Sequence, residues 1–196
     1  MEYELSVAPT GEPLTIEDVE AFCQFGELPA DQRATVKHFI TVARQMVERR
    51  LRRQLMTATW IGYLDGFPSI IEIKDKLPVS AVSSIYYTST AGTSTLLAAA
   101  SYQTDYVSQQ GPCRIMPAYG YTWPETISDT FKIVKVTFVS GYGAASLVPA
   151  SIKNAMLLLI ANWVEQREGV IIGTISSTLP FGVDACLSVE DWGHYS

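Results

Sequence analysis

Basic residues are missing from both ends of this 196-residue chain: none precedes Arg33, where eight carboxylates do, and none follows Arg167. With a net charge of −6, the balance argues against a general affinity for nucleic acid or anionic membrane, both of which draw on lysine and arginine. Histidine is nearly absent. His38 lies in a helical pattern beside Phe39 and reads as a surface or satisfied histidine, and His194 stands alone near the end. The three cysteines, Cys23, Cys113 and Cys186, have neither C-x-x-C spacing nor a histidine pair, so they form no zinc signature and fit reduced thiols in a cytosolic assembly. A basic n-region and an apolar h-region are lacking at the start, so no secretory signal is expected. There is no G-x-S-x-G, Walker loop, H-E-x-x-H or G-x-G-x-x-G, and Gly141-Tyr142-Gly143 lacks the third glycine and the helix that phosphate binding needs. The pairs Glu17/Asp18 and Glu190/Asp191 are adjacent, so on a helix their carboxylates point apart. No catalytic, metal-ligating or cofactor-binding residue follows from these patterns, and the expectation is a protein that is not an enzyme.

What is present can build a core, since 47% of the residues are hydrophobic. Thr15 and Asp18 form a capping-box start with Leu14 and Val19 placed as a hydrophobic staple, and Gly26 is the expected stop. Asp31 is placed to cap a longer helix in which Val36, Ile40, Ala43, Val47 and Leu51 recur at steps of three and four. A third helix is expected from Pro149, with Ile152, Ala155, Met156, Leu159, Ile160 and Trp163 on one side.

Between the second and third helices the period changes to two. Residues 56–64, 69–74, 79–88 and 131–139 are rich in β-branched and aromatic side chains and are separated by Asp65-Gly66, Ala91-Gly92, Gly111-Pro112 and Gly141 to Gly143. In the last of them Val134, Val136 and Phe138 alternate with Lys135 and Thr137, as in a half-buried antiparallel strand. The expected architecture is α+β: a small helical bundle, a β-rich insertion between helices two and three, and an extended C-terminal segment. The parts are an N-terminal helical part over 1–55, the insertion over 56–143, the last bundle helix over 144–169 and a docking segment over 170–196, together one compact domain.

Two segments invite partners. Residues 169–188 carry Asp184 as their only ionisable carboxylate, yet Gly173, Pro180, Gly182 and the Ser/Thr content make a poor membrane span. The second is Arg44, Arg49, Arg50, Arg52 and Arg53. Glu48 stands four residues from both Arg44 and Arg52, which allows pairs of roughly 0.2–0.5 kcal/mol each, and the arginines oppose the negative end of the helix dipole. Alternatively, surplus arginines meet carboxylates of another copy, a task that suits the guanidinium fork.

The order of motifs carries a resemblance. P-L-T-I-E-D-V-E-A-F (13–22), A-R-Q-M-V-E-R-R-L-R-R-Q-L (43–55), T-W (59–60) and L-D-G-F-P (64–68) are followed by G-P-C-R-I-M-P-A-Y-G-Y-T-W-P (111–124) and V-T-F-V-S-G-Y-G (136–143). V-P-A-S-I-K-N-A-M-L-L-L-I-A-N-W-V-E-Q-R-E (148–168) and L-P-F-G-V-D-A-C-L (179–187) complete the series. Collinear over nearly the whole chain, this pattern resembles the head-tail connector, or head-completion adaptor, family of tailed bacteriophages, in its longer prophage and gene-transfer-agent form. The resemblance implies a virion protein of the neck, assembled in the host cytoplasm as a ring usually of twelve copies under the portal protein. It implies a platform for a downstream neck, stopper or tail protein, passage of genomic DNA without sequence-specific binding, and no cofactor. Arg49, Arg50, Arg52 and Arg53 become candidate inter-subunit contacts. The segment after the last helix becomes the portal-docking element through Ile171, Ile172, Ile175, Leu179, Phe181, Val183 and Leu187, with Trp192 and Tyr195 as aromatic anchors.

Two rivals come from other classes. Trp60, Trp123, Tyr119 and Tyr121 could line the sugar site of a phage tail-associated carbohydrate-active or hydrolytic enzyme, given two carboxylates roughly 5–9.5 Å apart. The arginine-rich helix could serve a DNA-binding module, which predicts steeply salt-dependent binding.

Overall fold

The computed structural model describes residues 1–106, 111–165 and 181–190. They fall into two compact units: a β unit of Met1–Thr10 and Arg52–Gly143, and a helical unit of Gly11–Leu51 together with the chain from Ala144 onward. The fold is α+β.

In the β unit, β1 (Glu2–Val7), β2 (Ala58–Leu64), β4 (Val79–Thr88), β5 (Ser94–Leu96) and β8 (Val134–Ser140) form an antiparallel sheet in the order β1-β2-β8-β4-β5. A second sheet takes β3 (Ile71–Ile73), β7 (Cys113–Pro117) and β6 (Tyr102–Asp105) in the order β3-β7-β6. Strand β8 has the alternation its sequence shows: Val134, Val136 and Phe138 are fully buried while Lys135 and Thr137 are half-buried. Its buried face shares one core with Ile71, Ile73, Cys113 and Ile115 of the smaller sheet and Ile85 of β4. Each large aliphatic side chain buried this way contributes roughly 1.5–3 kcal/mol.

Strand β1 lies where a helical part is expected from sequence. In EYELSV the apolar Tyr3, Leu5 and Val7 alternate with Glu2, Glu4 and Ser6, but six residues this exposed hold a strand only through β2, more than fifty residues away in sequence. Tyr3 packs edge-on against Phe138 at 6.1 Å, the Tyr63 hydroxyl donates to Glu4 at 2.8 Å, and Lys132 reaches Glu2 at 3.0 Å. Strands β5, β6 and β7 are also additions, being three to five residues long and held by pairing rather than pattern.

Burial pushes the Tyr3 hydroxyl from 10.0 up to about 12, reinforced by the charge of Asp75, and the Cys113 thiol from 9.0 up to about 11, reinforced by Asp105. Both groups are held neutral in the fold and ionise more readily when unfolded. Their contribution to stability is therefore intact below about pH 9 and is lost as pH rises toward 12. Melting temperatures measured from pH 8 to 12 should fall, and Tyr3→Phe should flatten the part above pH 10; a parallel decline in the variant overturns the assignment.

The helical unit is built on α1 (Ile16–Cys23), α2 (Ala30–Leu51), α3 (Ala150–Glu165) and α4 (Phe181–Ser188). The capping box is formed as read: the Asp18 amide donates to Thr15 Oγ1 at 3.1 Å and the Thr15 amide to Asp18 Oδ2 at 2.8 Å. Leu14 and Val19 are buried. The helix ends earlier than Gly26, at Gln24, which takes the left-handed conformation (φ 56°) and donates its amide back to Glu20. Asp31 lies inside the first turn of α2 rather than at its cap, and Pro149 precedes α3, its carbonyl accepting from Lys153 at 3.1 Å. The stripes of α2 and α3 are buried at the expected residues except Trp163, which is half-buried and meets Phe39 at 5.6 Å between ring centres.

The C-terminal segment, expected to be extended, is helical over Phe181–Ser188. Val183 and Leu187 are one turn apart and buried, and α4 packs on α3, so helix satisfies the backbone where the side chains find an apolar surface. No helix among the described residues is long and apolar enough to cross a membrane.

Candidate functional site

The arginine segment is divided by the end of α2. Arg49 and Arg50 are exposed in its last turn. Arg52 is in the left-handed region (φ 53°), which ends the helix and sends its side chain away from Glu48; it lies 4.0 Å from Asp75 instead. The expected Glu48–Arg52 pair is therefore not made, while Glu48 does pair with Arg44 at 2.9 Å. Arg53 is 6% exposed and donates to the Tyr142 hydroxyl. A guanidinium committed to the interior of the β unit offers nothing to a neighbour, so the inter-subunit expectation continues with Arg49, Arg50 and Arg52 and loses Arg53.

Arg44, the first arginine of the segment, is the electrostatic centre of the helical unit. It is 8% exposed; its Nε donates to Glu12 Oε2 at 2.7 Å and its Nη1 to Glu48 Oε2 at 2.9 Å, while the Thr41 hydroxyl donates to Glu12 Oε1 at 2.9 Å. Burial acts to lower the guanidinium pKa, but the bonds and charges of Glu12 and Glu48 outweigh it and hold the group above its usual value. Sequence spacing can find Glu48 at i+4; Glu12, thirty-two residues away, leaves no local signal. A second clamp joins α1 to α2, with Arg33 on Glu20 at 2.8 Å and on Glu17 at 2.5 Å. The exposed Glu17 carboxyl is lowered chiefly by its backbone hydrogen bond and then by Arg33.

Of the residues expected to dock on a portal, Ile171, Ile172, Ile175, Leu179, Trp192 and Tyr195 lie outside the described residues. For Phe181 only the helical backbone is described. Val183 is fully buried and Leu187 is 3% exposed within their own unit, where they secure α4. Ser151 donates to Glu190 at 2.7 Å and Asn154 to Cys186 at 3.2 Å, adding polar ties between α3 and the segment around α4.

The aromatic residues proposed for a sugar site have separate roles. Trp60 donates its indole N–H to Gln54 at 3.1 Å under the Lys76 ammonium, and Trp123 stacks on Phe67 at 4.6 Å. Tyr119 and Tyr121 are exposed on the turn after β7. Among the described residues no cluster of three or more His, Cys, Asp or Glu could hold a metal ion. The DNA-binding reading is weakened because Arg44, Arg52 and Arg53 each already face an oxygen of this chain.

No protein-family model matches the chain, and no curated protein is found as a relative. Solved structures do match. A chain in "Neck of empty GTA particle computed with C6 symmetry" is 23% identical, with a TM-score of 0.75 over 97% of this chain and 95% of that one. Chains in "Virion of native gene transfer agent (GTA) particle" (23% identity, TM-score 0.73, 96% and 94% covered) and "Neck of native GTA particle computed with C12 symmetry" (21%, 0.73, 97% and 94%) are similar to the same extent. The shared fold extends over both units.

Proposed function

We propose that this chain is a structural connector in the neck of a tailed-phage or gene-transfer-agent particle. It forms a ring, of twelve copies, under the portal protein and offers a platform to the next neck or tail protein. The observation that carries the reading is the end-to-end match, over 97% of this chain and 95% of the other, to a chain from a particle neck. Neck reconstructions with C6 and C12 symmetry suit a ring of identical subunits. No reaction is required of such a part, in keeping with the absence of catalytic motifs in the sequence.

Ring closure needs a heterologous contact, in which one surface of a copy meets a different surface of the next. Arg49 and Arg50 supply one charged surface, and the exposed Glu27 and Asp31 of the same unit supply the other. The C-terminal chain from residue 170, leaving out Val183 and Leu187 that are buried in their own unit, is the proposed portal-docking element. A net charge of −6 disfavours adhesion of the passing DNA backbone.

The test is deletion of the gene from its particle-producing host, complementation with variants, and cryo-microscopy of the particles. Intact protein should restore a ring between portal and tail, and finding complete necks without this chain overturns the reading. Arg49→Glu should lower ring incorporation about tenfold, the effect of about 1.4 kcal/mol, with only a small fall in melting temperature from the reversed charge at the helix C-terminus. Truncation belongs after Glu190, because a cut before Phe181 would strip α4 from α3 and confuse docking with folding.

A further inference from the structure

On the outer face of the five-stranded sheet, one row of paired residues crosses the strands: Glu2, Tyr63, Lys135, Tyr86 and Leu96. Lys135 lies between two tyrosines, and together with Lys132 they line an open depression of about 270 Å³. Lys132 is engaged, its ammonium 3.0 Å from Glu2 and 5.0 Å from the centre of the Tyr63 ring. Lys135 has no ion-pair partner among the described residues. A cation between aromatic walls, open to solvent, suits the face of a further aromatic ring.

The same unit presents such a ring. After β7 the chain makes a tight turn closed by the Tyr121 amide on the Ala118 carbonyl at 2.9 Å, with Gly120 at φ 82°. That geometry is a turn in which glycine takes the left-handed position and the residue before it is pushed outward. The residue is Tyr119, at 103% relative exposure, with Tyr121 beside it at 54%. A rigid turn that displays an aromatic side chain has few backbone states to lose on binding.

We infer that the Tyr119 turn of one copy inserts into the Tyr63–Lys135–Tyr86 depression of the next. This deepens the ring reading above and rests on it, since knob and socket lie on different parts of the same unit and so make a head-to-tail contact that propagates around a ring. The occupant is a second copy because the complement, an exposed aromatic on a pinned turn, is found on the chain itself. One tyrosine buries about 150–250 Å², against about 800 Å² per partner in a stable interface. Tyr119 therefore marks the centre of a wider contact, to which the neighbouring Tyr121, 54% exposed, adds apolar area.

The experiment places a photo-crosslinking p-benzoylphenylalanine at position 119, which keeps an aromatic ring there, in assembled particles and in concentrated isolated protein. Crosslinks should run from position 119 of one chain to the Tyr63, Tyr86 or Lys135 peptides of another, as a ladder extending beyond dimers. Tyr119→Ala and Lys135→Glu should each weaken self-association about tenfold or more by sedimentation, with Tyr119→Phe near wild type and all three melting normally. A ring in the neck whose position-119 crosslinks fall elsewhere, or are absent, overturns this contact and leaves the neck reading standing. A head-to-tail ladder from a protein that never enters necks overturns the neck reading and leaves the contact standing. Symmetric 119–119 crosslinks, or no ladder in either preparation, overturn the inference.

Discussion

Gly141→Ala should be the most damaging small substitution in this chain, costing about 3–5 kcal/mol and lowering the melting temperature of the β unit by about 10 °C or more. Two effects combine at this position. Gly141 has φ 114°, where a side chain is strained, and a Cβ there would lie 2.6 Å from both the carbonyl carbon and the oxygen of Met56 and 2.8 Å from the Thr57 nitrogen. All three atoms are backbone, so no rotamer change relieves the clash. The residue is also tied in place, since its amide donates to the Pro78 carbonyl at 2.9 Å and the next amide, of Tyr142, donates to Leu55 at 3.1 Å. Moving it would disturb the end of β8 and the fully buried Ser140 before it. Gly92→Ala is the control, because Gly92 has φ 76° with nothing within 4 Å of its Cβ position and so incurs strain alone, about 1–2 kcal/mol. Thermal melts of the two variants should differ by several degrees. Equal melting temperatures would show that the approach of Met56 is unimportant.

Arg44→Met should destabilise the helical unit by about 3–5 kcal/mol, the range for removing one partner of a buried ion pair. The side chain is 10% exposed, Glu48 is 12% exposed and Glu12 is 23% exposed, so the loss takes from both carboxylates the cation they share, where little water reaches. The expected cause is stranded charge, and that distinguishes it from lost packing. Adding Glu12→Gln and Glu48→Gln to Arg44→Met should recover more than half of the loss, because the triple variant has no uncompensated buried charge. Chemical denaturation of wild type, single and triple variants measures this, and a triple variant no more stable than the single one would assign the effect to packing. Raising salt should change the wild type little, since a pair this buried is weakly screened.

The contrast between Arg44 and its neighbours shows what local sequence can convey. Arg44, Arg49, Arg50, Arg52 and Arg53 look alike as a cluster, and helical spacing alone places Glu48 beside Arg44. Their fates separate at Leu51, where α2 ends. One residue later Arg52 adopts φ 53°, and Arg53 turns inward to Tyr142, eighty-nine residues away. A cluster that reads as one surface thus becomes a buried ion-pair centre at Arg44, two exposed helical arginines, one at the helix end and one interior structural link. The C-terminal run divides similarly: Val183 and Leu187 are spent inside their own unit, which no count of apolar residues distinguishes from a docking patch.

The sequence by itself determined the elements that short-range physics governs. The capping box of α1, the stripes of α2 and α3 and the alternation along β8 each depend on residues within a few positions of one another, and each is in place. Only the tertiary structure decided the strand at Glu2–Val7, the helix at Phe181–Ser188, the Glu12–Arg44 bond and the row Tyr63–Lys135–Tyr86. Those features exist because distant segments satisfy one another's backbone groups, charges and apolar faces, and such interactions leave no period in the chain from which to read them.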